Sequence, residues 1–129
     1  MIDNVKVLIF VESRYKVNRK GIKSTVSSVI EEQGIKSSLE VSLAIVGDRK
    51  MKGLNKKYRQ KDSTTNILSF PLSEGESTYL PEGVVRLGDI VISYPQVIRE
   101  AARDEVLVDE KIEELVAHGM LHLLGLHHE

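Results

Sequence analysis

The stretch LEVSLAIV, Leu39 to Val46, decides the fold class. Leu39, Val41, Leu43 and Ile45 alternate with Glu40, Ser42 and Ala44, the period-two pattern of a half-buried β-strand. Helical spacing flanks it on both sides. Upstream, Asn18 to Gln33 reads as a helix with Asn18 as its cap and Gly34 as its stop. Downstream, Asp48 can cap a helix running to about Tyr58, in which Met51, Leu54 and Tyr58 share a face. The strand needs neighbours, and the chain supplies them. Val5 to Val11 is an apolar, β-branched run, Asn66 to Phe70 is a short strand ended by Pro71, and Leu87 to Ser93 is another. Residues 72–86, with their Gly, Ser, Glu and Pro, read as a loop. Pro95 stands at a first helical position, so a helix is expected to about Arg103. Asp109 can cap a last helix, Glu110 to Leu124, stopped by Gly125. The order β-α-β-α-β-β-α-α specifies an α+β fold, a mixed sheet of about four strands packed with helices. The βα links predict parallel pairs, and the 66–93 segment an antiparallel neighbour.

The 129 residues fit one domain spanning 1–129, long enough to bury a core. With 41% hydrophobic and 29% charged residues the chain is an ordinary globular protein, which excludes a disordered one. It has no cysteine, so disulfides, thiolate metal sites and thiol nucleophiles fall away together. Any metal must rest on His, Asp or Glu. The N-terminus lacks the basic start and cleavage site of a signal peptide, and no apolar stretch approaches the ~18 residues of a membrane span. A cytoplasmic protein is expected, with no membrane partner. The net charge of −1 hides an asymmetry, because bases crowd the first half and acids the second. The densest basic run holds Arg49, Lys50, Lys52, Lys56, Lys57, Arg59 and Lys61. Such a run is either a solvated helix face or a surface that attracts polyphosphate backbones.

The chemistry is concentrated in AHGMLHLLGLHHE, Ala117 to Glu129, which holds all four histidines of the chain. His118 and His122 are four apart, so on a helix their rings point the same way, one turn above the other. Their neighbours Leu115, Val116, Met120, Leu121, Leu123 and Leu124 make a helix apolar on nearly every face, which reads as a buried one. Imidazoles placed there need partners for their nitrogens, and one metal ion would serve both rings. Gly125 lets the chain turn back, and His128 follows His122 by six residues. Three imidazoles and a water complete a tetrahedral zinc site of the catalytic kind, with Zn–N bonds of ~2.0–2.1 Å. Zinc, one per chain, is the expected metal for an all-imidazole set, with nickel, copper and iron also compatible on ligand type.

These residues resemble a known family. HGMLHLLGLHH, His118 to His128, is similar to the signature of the bacterial YbeY family, close to HGxLHLxGxDH. LNKKYRQKDSTTNILSFP, Leu54 to Pro71, resembles that family's LNxxYRxxDxxTDVLSFP block, and LGDIVIS, Leu87 to Ser93, its LGDIxIS strand. The matches run in the family's order over most of residues 54–128, whereas the first 50 residues match only in pattern. The resemblance implies a zinc-dependent endoribonuclease of single-stranded RNA. It further implies a role in ribosomal RNA maturation, at the 3′ end of 16S rRNA, in association with the small ribosomal subunit. It makes Arg59 the catalytic candidate, since a transition state that gathers negative charge is helped by a fixed guanidinium. Asn66 and Ser69 could bind substrate or brace the turn. Asp89 could brace a strand end or support a ligand histidine. Two departures matter. His127 stands where the motif has Asp, giving an adjacent His127–His128 pair, and the sequence ends at Glu129 where many relatives continue.

Two other readings share the same residues. The metzincin peptidases, HExxHxxGxxH, have the ligand spacing of His118, His122 and His128. Their glutamate directly follows the first histidine, and here Gly119 offers no general base. A non-catalytic RNA-binding assembly factor, braced by zinc, fits the basic first half equally well.

Overall fold

The computed structural model describes residues 5–12, 14–72 and 83–125. Eight elements follow in the expected order: β1 (Val5–Val11), α1 (Arg19–Glu32), β2 (Leu39–Val46), α2 (Asp48–Arg59), β3 (Ile67–Pro71), β4 (Val85–Ser93), α3 (Tyr94–Asp104) and α4 (Val108–Leu123). The four strands form one sheet in the order β1-β2-β4-β3. β1 pairs parallel with β2 and β2 with β4, whereas β3 runs antiparallel along β4 as the far edge. Pro71, which cannot donate to a ladder, ends that edge strand, where proline is tolerated.

The sheet has two unequal faces. On one, α1 and α4 pack against each other and over Val41, Leu43, Ile45, Ile90 and Ile92, all nearly inaccessible to solvent. On the other, α2 alone covers a smaller cluster of Val46, Met51, Leu68 and Val91. β2 is therefore buried along most of its length rather than half-buried, because a helix lies over each face. Its one acidic residue, Glu40, is 7% exposed and accepts a hydrogen bond from Arg86 Nε at 3.2 Å. β1 keeps the plain alternation: Val5, Val7, Ile9 and Val11 turn to the core, while Lys6, Leu8 and Phe10 turn to solvent.

Two helix caps differ from expectation. Asn18 caps α1, its Oδ1 accepting from Gly21 N at 3.0 Å. Asp48, by contrast, is the first residue of α2 and not its cap. Its carboxylate accepts from Ser93 Oγ at 2.8 Å, Thr64 Oγ1 at 2.9 Å, Arg99 at 3.1 Å and Gln96 Nε2 at 3.3 Å. Partial burial raises the pKa of Asp48, but these four donors outweigh it and hold the carboxyl below its ordinary value. Asp109 is likewise not the cap of α4. It accepts from Asn18 N at 3.2 Å and so ties the starts of α1 and α4 together. Glu110 instead accepts from the N–H of the true cap, Leu107, at 3.1 Å.

The Asp48 cluster joins α2, β4 and α3, and it gives a stability prediction. Asp48→Ala leaves the fully buried Ser93 hydroxyl and its companions without their acceptor, at a cost of ~2 kcal/mol in urea unfolding. A carboxyl with a depressed folded pKa stabilises above its unfolded pKa and loses that contribution as pH falls through the folded one. The gap between wild type and variant should therefore be widest near neutrality and narrow below pH ~4.

Candidate metal centre

α4 carries Ile112, Leu115, Val116, Gly119, Met120 and Leu123 on its buried side, at the i, i+3, i+4, i+7 spacing of one helical stripe. It is not buried all round. His118 is exposed and His122 half-buried, both away from the stripe that faces the sheet. Burial of the imidazoles is thus not what calls for a metal here. Their ring centroids lie 5.1 Å apart, with the planes inclined at 52°. Two imidazoles on one tetrahedral zinc, with Zn–N bonds of ~2.0–2.1 Å, place their centroids about 5 Å apart. The pair fits that requirement.

Gly119 lets α4 reach this position. A Cβ there would stand 3.0 Å from Ile90 Cδ1 and 3.2 Å from Ile67 Cδ1, so the backbone of α4 lies directly on the sheet. Position 119 is turned toward the sheet, so any side chain there would press first on these two isoleucines. Gly88 makes a second close approach, with φ +139°, where a Cβ would collide with the Phe70 carbonyl oxygen. The register of β4 against β2 shifts at this point.

A cavity of 460 Å³ opens beside His118, lined by Asn66 just before β3, by Ile67 of β3 and by Glu114, Leu115, Ala117 and Leu121 of α4. Glu114 precedes His118 by one turn. Lys111, 5% exposed, donates to Glu114 Oε2 at 3.1 Å and to Asp104 Oδ2 at 2.7 Å. Its bonds to Asp104 and Glu114 raise the pKa of Lys111, and bonds from Arg103 and then Lys111 hold Asp104 well below the carboxylate range. The rim of the cavity thus carries a fixed carboxylate that the sequence reading passed over, although the spacing Glu114–His118 was there to be seen.

The other candidates are scattered. Asn66 lies on the His118 cavity, and its Nδ2 donates to Glu100 Oε1 at 3.1 Å. Asp89 lies on the α2 side of the sheet, opposite to α4, among residues that include Leu54 and Tyr58. Arg59 is exposed on the last turn of α2, on that same far side. Among the described residues no carboxylate pairs with it. His127 and His128 lie outside the described residues, as do residues 73–82 of the expected loop. Among the described residues no three His, Cys, Asp or Glu side chains converge on a metal site, and no helix is long and apolar enough to cross a membrane.

Comparison with known proteins places these features. The family model described as Endoribonuclease YbeY matches residues 9–129. The chain is 40% identical to a protein named Endoribonuclease YbeY from Thermodesulfovibrio yellowstonii, over 94% of this chain and 78% of that one. It is 38% identical to the protein of that name from Desulforamulus reducens, over 99% and 82%. With the one from Anaeromyxobacter sp. (strain Fw109-5) it is 42% identical over 73% of this chain, and there the match spans 46% of the relative's length. The solution structure of TM1509 from Thermotoga maritima is similar at a TM-score of 0.61 and 25% identity, covering 95% of this chain and 75% of that one.

Proposed function

The chain belongs to the YbeY endoribonuclease family, and from that premise we propose that it is a zinc-dependent hydrolase of single-stranded RNA, acting in ribosomal RNA maturation at the 3′ end of 16S rRNA and in association with the small ribosomal subunit. The observation that carries the metal part of this reading is the 5.1 Å spacing of the His118 and His122 rings, with His118 on an open cavity. His128 is the third ligand by its distance from His122 in the sequence. Zinc held there supplies a Lewis acid and a water that ionises near neutral pH. The chain's own residues do the rest. α4, seated on the sheet through Gly119, holds the two imidazoles in place. Glu114, anchored by Lys111, keeps a negative charge at the rim. The guanidinium of Arg59 remains available to a phosphate.

The peptidase alternative loses ground on a specific observation, because the position that would carry its glutamate is a glycine packed closely against Ile90 and Ile67 of the sheet. Metal analysis beside a digest of short single-stranded RNA tests the proposal. About one zinc per chain and cleavage by wild type support it. Zinc-loaded protein that binds but never cuts RNA would be an assembly factor instead.

The doublet His127–His128 gives a separate test. His128→Ala should lose the zinc, whereas His127→Ala keeps most of it. The reverse outcome, read by metal content after dialysis, moves the third ligand one residue earlier.

A further inference from the structure

The α2 side of the sheet is covered over only part of its width. Leu8 is 42% exposed and Phe10 58% exposed on β1, and Tyr58 of α2 is 52% exposed. They border an open trough of 650 Å³, whose floor includes Ser42, Phe70 and Asp89. The strand register sets this floor in rows. Leu8, Ser42, Asp89 and Phe70 stand side by side across all four strands, and Phe10, Ala44, Val91 and Leu68 form the next row. At the α2 wall the Tyr58 ring meets Phe70 edge-on, with centroids 5.2 Å apart. The Lys57 ammonium lies 5.1 Å from the centre of the same Tyr58 ring. Lys50 and Lys57 flank Leu54 at helical spacing and so follow the trough. Of the seven bases from Arg49 to Lys61, only Lys52 has a carboxylate partner among the described residues, Asp62 at 3.9 Å.

An apolar, aromatic floor beside a row of uncompensated cations suits a ligand that is anionic along one side and flat and aromatic along the other. We propose that this trough is a binding platform for single-stranded RNA, with Phe10 and Tyr58 stacking on bases and Lys50 and Lys57 holding phosphates. Asp89 fixes the orientation. Its carboxylate repels the backbone and accepts from the amino or imino groups of a base, so bases turn inward and phosphates toward α2. A duplex, whose bases are already stacked and paired, gains nothing from the aromatic side chains. This inference rests on the reading of the chain as an RNA-cleaving protein and adds where the strand is held away from the histidines.

The test uses the full chain carrying His122→Ala, so that no strand is cut, and a labelled single-stranded RNA of about 12 nucleotides. Its affinity is compared with that for an abasic oligomer of equal charge. Phe10→Ala and Tyr58→Ala should each weaken RNA binding at least ~5-fold and change abasic binding less than about twofold. Phe10→Ala should melt like its parent, because its ring is mostly exposed. Lys57→Ala should weaken both ligands and lower the salt slope by about 1. Unchanged RNA affinity in both aromatic variants overturns the platform. If those variants instead dissociate a concentration-dependent dimer, the face belongs to a second copy of the chain. The two readings fail separately. Wild type that never cuts RNA, with aromatic-dependent binding intact, sinks only the nuclease. Cutting by wild type, with binding indifferent to the aromatic side chains, sinks only the platform.

Discussion

His122→Ala protein should be isolated with no zinc, melt several degrees below wild type and cut single-stranded RNA at least ~10³-fold more slowly. The magnitude follows from the charge stabilisation a bound metal supplies, several kcal/mol, at a tenfold rate loss per ~1.4 kcal/mol. The fall in melting temperature follows because metal that binds only the folded chain adds its binding free energy to stability. His122 is half-buried on the side of α4 turned away from the packed stripe. Its loss therefore removes a ligand without opening a cavity in the core. Metal content, a thermal melt and single-turnover cleavage check the three parts together. Stoichiometric zinc in the variant would falsify the ligand assignment outright.

Arg59→Ala is the second large effect, and its signature is a split between binding and chemistry. At saturating protein, single-turnover cleavage should fall ~10²–10³-fold, the range seen when one preorganised donor to a developing negative charge is removed. Affinity for the RNA should barely change, because a contact made only in the transition state does not show in ground-state binding. Lys56→Ala should do the opposite, raising the dissociation constant modestly with little effect on cleavage. The helices that carry Arg59 and His118, α2 and α4, pack on opposite faces of the sheet, so Arg59→Ala also tests whether one phosphodiester reaches both residues. Should Arg59→Ala cleave at the wild-type rate and bind worse, it is one more base on the face of α2.

Much of the fold was legible because its signals are local. The bounds of β1 and β2 agree with expectation to the residue, Val5–Val11 and Leu39–Val46, since both runs end at a change in hydrophobic pattern. Asn18 caps α1 as its side chain and spacing suggest. Asp48 and Asp109 have the same local propensity and do something else. Donors far away in sequence recruit them, Ser93 for Asp48 and the backbone of Asn18 for Asp109. No window of neighbouring residues contains that competition. β4 begins at Val85, two residues before the expected Leu87, because Ser38 accepts a hydrogen bond from Val85 N at the start of its pairing with β2. The apolar sequence of α4 suggested burial all round, but His118 is exposed and Leu121, packed only partly against the core, also lines a cavity. At the site, the i,i+4 spacing of His118 and His122 was readable and so was the glycine between them. The sequence marks that glycine only as a missing side chain. Its role as a point of contact with Ile90 and Ile67 needed the sheet. The exposure of Leu8 and Phe10 was hidden for a similar reason, since the run VKVLIFV looks equally apolar on both of its faces.

That contact fixes a degree of freedom. Helices held by ordinary side-chain packing can roll about their axes by small amounts as their neighbours change rotamer. A helix whose backbone rests on two isoleucine methyl groups has much less room to do so. Shifting the residue that faces the sheet by one position would turn α4 through ~100° and press Met120 or His118 where only hydrogen atoms fit. α4 therefore has little freedom to roll, and the direction of both imidazoles is inherited from its setting. A metal bound between them, as proposed, would meet two rings already aligned, so little orientational entropy would remain to be lost at those two positions. A methyl group added at Gly119 would press on Ile90 and Ile67, and so act on the helix that carries the histidines without touching either of them.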